Sequence, residues 1–294
     1  MKKSPRWLLE HKRNVYSQTG EDGIIEKILD VLPQTDKWCV EFGAWDGITF
    51  SNTRHLIESK NYAAVLIEAD KKKFSALKQN YAARANVIPI NRFVGFGADD
   101  NLDRILGTTP IPRDFDFLSI DIDGNDYHCW NAAIKYAPKF VVIEFNQTIP
   151  TEVRFVQEQN FAVTQSSSLL ALVELGRDKG YELVCVLEFN AFFVRRECFP
   201  LFELESNAPE ILRPDLSQIT YLFSGQDGQI LLGGYGALPW HGIPILPAKI
   251  QPLPKFLRTS PYSYTRAQQF VFALFLLFND PRRLWRKISK CLTR

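Results

Sequence analysis

Along residues 14–198 the apolar positions alternate between two patterns. Short continuous runs give way to stretches that recur every three or four residues, as strands and helices taking turns would. Ile24, Ile25, Ile28, Leu29 and Leu32 form a helical stripe closed by Pro33, and Thr19 with Asp22 three residues later predicts a capping box at its start. Five apolar runs follow, at Trp38–Phe42, 63–67, 86–90, 115–120 and 140–143. Glu68, Asp121 and Glu144 close the second, fourth and fifth. Pro89 in the third predicts an irregular or edge strand. Between the runs, Ser51 or Asn52 would cap one helix, Phe74, Leu77 and Tyr81 mark another, and 166–180 a third with a glycine stop. Tyr181–Leu187 and 191–194 form an antiparallel pair at the end. Strands that are apolar throughout need cover on both faces. The pattern therefore predicts a Rossmann-like α/β fold, a mostly parallel seven-stranded sheet with helices on both faces and a C-terminal extension.

After Phe199 the regularity fades. Residues 224–262 are rich in Gly and Pro and predict a long loop or extended arm. Residues 270–278 are apolar on every side, within a helix expected over 263–278. The chain thus divides into a sheet domain (14–198), an irregular arm (199–262) and an apolar helix with a basic end (263–294). Of 35 basic residues, six follow Asp280 with no acid among them; the other 29 face 33 acids, so the body is mildly acidic. That balance excludes a nucleic-acid partner, which calls for a broad basic face. The tail fits peripheral contact with an anionic membrane through 270–294, or packing across the domain or in a homodimer; the sequence leaves these open. The longest apolar run falls far short of the ~20 residues that span a bilayer. Five scattered cysteines without a CxxC pair predict reduced thiols and a cytoplasmic protein.

Three motifs carry chemistry. The first is the 41–47 segment, Glu-Phe-Gly-Ala-Trp-Asp-Gly, after a strand and before a helix. Its glycines let backbone approach a ligand closely, but the pattern is ExGxxxG rather than the GxGxxG of a dinucleotide loop. Glu41, Gly43, Ala44 and Gly47 suit the amino and carboxylate groups of S-adenosylmethionine better than a pyrophosphate. Glu68, 21 residues beyond Gly47, stands where such folds bind ribose hydroxyls; its other reading is a helix N-terminal charge beside a capping Asp70. The third motif is the 117–126 run, which brings Asp121, Asp123 and Asp126 to the rim where ligands gather, with Glu144 and Asn146 arriving from the next strand. Hard oxygen ligands from these two adjacent strand ends could hold Mg²⁺ or Mn²⁺ and so activate a substrate hydroxyl; alternatively Asp121 contacts the cofactor and the others cap a helix. His128 reads as a general base or as a surface histidine on a first helical turn.

As a set, these residues resemble the FkbM-like methyltransferases: 40–44, 66–70, 119–124 and 142–144, then Gly180-Tyr181-Glu182-Leu183 and 190–194, in order over about residues 15–198. The resemblance implies a class I methyltransferase fold, S-adenosylmethionine as donor, and O-methylation of a small-molecule or glycan acceptor. By analogy with metal-dependent sugar methyltransferases of the same broad fold, it suggests Asp121, Asp123 and Glu144 as metal ligands. For catalysis, Asp121 is expected beside the methyl, with Asp123 or His128 handling the proton. The family's fourth-strand motif is closer to Lys-x-Asp-x-Glu-Gly; here Ser119 replaces the lysine and Asp123 the glutamate. Two rival readings stand. Asp121-Ile122-Asp123 is also the DxD pattern of glycosyltransferases that use a nucleotide sugar, and the fold could serve as a non-catalytic binding module.

Overall fold

The computed structural model describes residues 2–33 and 36–282, in two compact units that meet at Leu216 and Ser217. In the first unit every predicted apolar run is a strand of one sheet: β1 (Trp38–Phe42), β2 (Ala63–Glu68), β3 (Val87–Asn91), β4 (Phe117–Ile120), β5 (Phe140–Glu144), β6 (Tyr181–Leu187) and β7 (Asn190–Arg195). Their order is β3-β2-β1-β4-β5-β7-β6. The first five are parallel, and β7 runs antiparallel to both β5 and β6. Pro89 sits in the edge strand β3, where a missing donor is tolerated. The chain order reverses between β1 and β4, so a crevice opens beyond their carboxyl ends.

Alternate strand residues face opposite layers, as a pleat requires. Cys39, Leu66, Phe117 and Val142 pack with Ile24 and Ile28 of α1 (Glu21–Val31), Ile57 of α2 (Arg54–Ser59) and Leu77 of α3 (Lys71–Asn80). Val40, Ile67, Leu118 and Val141 pack with Ile105 of α4 (Leu102–Leu106), Trp130 of α5 (Asp126–Ala132) and Leu172 of α6 (Leu169–Asp178). A short α7 (Pro209–Leu212) follows β7. Trp7, Leu8, Phe202 and Leu204 join the first of these layers, so the compact unit is wider than the 14–198 expected.

Two predicted caps take another form. Gly20, at φ +112, precedes α1 and no side chain caps it. Asp22 instead accepts from the N–H groups of Val15, Tyr16 and Ser17 at 2.7–2.8 Å and folds the loop before the helix. Likewise α2 follows Thr53, whose side chain turns to Glu41; the Ser51 hydroxyl accepts from the Arg54 N–H at 3.1 Å while donating to Glu41.

The second unit is less irregular than its Gly and Pro content predicts. A hairpin, β8 (Thr220–Ser224) with β9 (Ile230–Gly234), and a short pair, β10 (Ala237–Leu238) with β11 (Ile243–Pro244), replace the expected loop. The hairpin turns at Asp227-Gly228, where Gly228 takes φ +79. Helix α8 (Arg266–Asn279) begins with a capping box between Thr265 and Gln268. No helix among the described residues is long and apolar enough to cross a membrane. The basic segment from Arg283 to the end lies outside the described residues.

Candidate active site

Two glycines shape the loop after β1. Gly43 has φ +77, and a Cβ there would lie 1.7 Å from the carbonyl oxygen of Asp121. Only a glycine lets this loop touch the end of β4. Gly47, at φ +72, would bring a Cβ within 2.6 Å of the Tyr81 ring, whose hydroxyl donates to the Gly47 carbonyl at 2.7 Å. Between them Ala44 is buried and its N–H donates to Ile67 of β2. Gly43 and Trp45 remain open to solvent, and the Lys73 ammonium lies 4.1 Å from the Trp45 ring centre.

Glu68 faces this loop from the end of β2. One carboxylate oxygen accepts from the Trp45 N–H at 2.8 Å and the other from the Asp70 N–H at 2.7 Å. A carboxylate has about four acceptor positions, so both oxygens keep capacity for further hydroxyls. Asp70 is the residue that caps α3, accepting from the Lys72 and Lys73 N–H groups, which hold its carboxyl below the usual range. Asp70 therefore takes the helix cap, and Glu68 faces the β1 loop.

Glu41 is only 6% exposed. The Ser51 and Thr53 hydroxyls each donate to it at 2.6 Å and the Asn52 N–H at 2.9 Å. Burial raises its pKa, and these hydrogen bonds oppose the rise. Asn52 then donates to the Ser119 hydroxyl at 3.1 Å, on β4. Glu41 thus anchors the loop that leads into α2 to the two central strands. Its three partners, Ser51, Asn52 and Thr53, are short polar residues in an unremarkable segment, and no spacing rule in the sequence identifies them as its partners.

Beyond β4 and β5, Asp121, Asp123 and Glu144 each offer a carboxylate oxygen, all within 4.8 Å of one another. Asp126 is apart from this trio. It is buried, accepts from the Ile122 and Gly124 N–H groups at 2.9 Å, and holds the turn in which Asp123 adopts a left-handed φ of +57. Asn146 bonds Gln165 and Thr148 instead of joining the acids. Desolvation in the crevice pushes Asp121 up to about 8 and Glu144 to about 10, reinforced by the neighbouring carboxylates. The Asp123 N–H, hydrogen-bonded to Asp121, opposes the rise there.

His128 lies on the first turn of α5, where its Nε2 donates to the Gln157 carbonyl at 2.9 Å. Its ring sits edge-on to Phe96, which stacks on Phe161 at 4.7 Å, and Phe161 meets Phe93 at 4.3 Å. Phe93 and Phe161 remain exposed. The Gln157–Thr164 region packs on the Gly124 turn, and Asn125 donates to the Asn160 carbonyl. An aromatic wall therefore stands on the loops beside the acidic trio. Three large rings in otherwise polar loops were its signal in the sequence.

The strand order, with β7 antiparallel between β5 and β6, is that of the Rossmann-like class I methyltransferase fold. No protein-family model and no curated protein matches the sequence. Among solved structures the chain is similar to the CMeT domain of the citrinin polyketide synthase, with 11% identity and a TM-score of 0.42 over 62% of this chain and 54% of that one. It spans about half the length of that structure. It is also similar to a SAM-dependent methyltransferase from Aquifex aeolicus, with 13% identity and a TM-score of 0.36 over 58% and 87%. A third is the N-terminal domain of EvdMO1, crystallised in the presence of SAH and D-fucose, with 10% identity and a TM-score of 0.39 over 59% and 80%. These are distant likenesses of fold.

Proposed function

We propose that the chain is an S-adenosylmethionine-dependent O-methyltransferase of the FkbM-like kind, acting on a hydroxyl of a sugar or glycan. The observation that carries this reading is the convergence at one crevice of the 43–47 loop, Glu68 on the N–H of Trp45, and three carboxylates beyond β4 and β5. When bound, the sulfonium supplies an electrophilic methyl group. The 43–47 loop would hold the methionine part, with Glu41 acting through that loop, and Glu68 would accept from the ribose hydroxyls.

Positioning is the main demand of an in-line displacement, since alignment removes most of the entropic cost. Asp121, touching Gly43 through its backbone, sits where donor and acceptor would meet. Asp123, exposed beside it, would take the proton from the acceptor hydroxyl, because the Nε2 of His128 is committed to Gln157. Asp121, Asp123 and Glu144 are a hard oxygen set suited to Mg²⁺ or Mn²⁺, which would lower the pKa of a bound hydroxyl. The apolar wall of Phe93, Phe96 and Phe161 would pack on the C–H face of a sugar ring.

Calorimetric titration with S-adenosylmethionine, with and without Mg²⁺, tests the reading. Micromolar binding is expected, weakened at least roughly tenfold (~1.4 kcal/mol) in Glu68→Ala. Absence of binding under both conditions would overturn it, and affinity for a nucleotide sugar in its place would favour the DxD glycosyltransferase.

A further inference from the structure

Helix α8 is apolar on two opposite sides. Leu276 is buried, Phe272 and Phe275 are half-buried, and Phe272 meets Tyr264 edge-on at 5.5 Å. On the other side Phe270, Val271, Leu274, Leu277 and Phe278 recur at helical spacing and are all exposed, Phe270 by 67% and Phe278 by 82%. A water-facing stripe of this kind normally carries charge. Here none of its five positions is polar, and covering them would remove apolar surface from water at roughly 25 cal/mol per Å². The same unit exposes Trp240, Phe256 and Tyr262, amphipathic or aromatic side chains of the type that settle at a lipid headgroup boundary.

The sequence that follows identifies the cover. After Asp280 and Pro281 come Arg282, Arg283, Arg286, Lys287, Lys290 and Arg294, interleaved with Leu284, Trp285, Ile288 and Leu292. We propose that the C-terminal unit docks on an anionic lipid surface, with the exposed stripe of α8 entering the headgroup boundary and the basic residues after Asp280 meeting the lipid phosphates. A bilayer offers both complements at once, an apolar interior and a negative face. A second copy fits less well. A second copy offers the apolar complement but no negative face for the six basic residues of the sequence after Asp280. Helix α8, 14 residues long, is too short to cross the hydrocarbon core, so the stripe would lie along the surface.

Vesicle flotation of the full chain tests this without reference to the methyltransferase reading. The probes are vesicles of phosphatidylcholine alone and of phosphatidylcholine with phosphatidylglycerol. Binding to the anionic vesicles at least roughly tenfold tighter than to neutral ones is expected, falling as salt is raised from 0.05 to 0.5 M. Two variants separate the contributions. Phe270→Ser with Leu274→Ser and Phe278→Ser should abolish flotation while the melting temperature holds, because these side chains leave no core. Arg286→Gln with Lys287→Gln and Lys290→Gln should remove the preference for anionic vesicles. Equal flotation with both vesicle types, or a stripe variant that floats like the parent, would overturn the proposal. So would a concentration-dependent dimer that the stripe substitutions dissolve, which would assign the stripe to a second copy.

Discussion

The two units of this chain use apolar residues in opposite ways. In the first, the largest side chains, among them Phe42, Phe117, Phe140, Phe192 and Trp130, are almost completely buried on one face of the sheet or the other. In the second, Leu222, Trp240, Phe256, Phe270 and Phe278 are exposed over more than half of their surface. Both are rich in aromatic residues, so composition does not separate them. What differs is closure. Seven strands with helices on both faces leave their apolar residues nowhere to go but inward, whereas a hairpin and one helix enclose very little. A surface that stays apolar in a small unit points to a partner.

The sharpest way to break this contrast is Gly43→Ala. The new methyl would collide with the Asp121 carbonyl in a left-handed position, so we expect a loss of roughly 3 kcal/mol or more and of S-adenosylmethionine binding. Thermal unfolding and calorimetry would show both. Retained binding would mean that β1 and β4 are not held together as described. Next comes Glu41→Ala, which leaves the Ser51 and Thr53 hydroxyls without their buried acceptor. A cost of about 2–3 kcal/mol is expected, with weaker cofactor binding because the loop loses its anchor.

The acidic trio gives a pH signature. Asp121 and Glu144 are raised on folding, so their favourable contribution is complete below pH ~4 and is lost as pH rises through about 8 and then about 10. Melting temperature should fall from pH 5 to pH 9. Glu144→Gln should remove part of that fall, by about 2 kcal/mol. Mg²⁺ should restore stability at pH 9 in the parent and less in the variant. A fall that Glu144→Gln leaves unchanged would remove the trio from the account.

The smallest effects compare the units directly. Asp70→Ala and Thr265→Ala each delete a helix cap. Both should cost about 1 kcal/mol. Loss of the Asp70 cap should lower the melting temperature of the sheet-bearing unit, whereas loss of the Thr265 cap should speed amide exchange only within α8. Global destabilisation by Thr265→Ala would show that the two units fold as one.

Much of the first unit was legible in sequence because a strand covered on both faces must be apolar throughout. The runs at 38–42, 63–67 and 140–143 announce themselves, and Glu68, Asp121 and Glu144 fall at their carboxyl ends for the same reason. The cap at Thr19 was misplaced, and Ser51, which does accept from the Arg54 N–H, is shared with Glu41, because local propensity does not reveal a competing partner. Asp22 is taken by three N–H groups of its own loop, and Ser51 and Asn52 by Glu41 across the strand end. The hairpin at 220–234 was hidden by its glycines, although Asp227-Gly228 is a turn signal.

Sequence by itself determined the alternation of strands and helices, the glycines of the β1 loop, the acids at the sheet's rim and the unbroken apolar stretch of α8. These are set by backbone sterics and by the period of hydrophobic positions, both local in the chain. Only the tertiary structure decided that Asp126 holds a turn while Asp121, Asp123 and Glu144 converge, that His128 is tied to Gln157, and which side of α8 is left uncovered. Those outcomes depend on which distant groups compete for each hydrogen bond and each apolar surface, and that competition is settled only when the chain has folded.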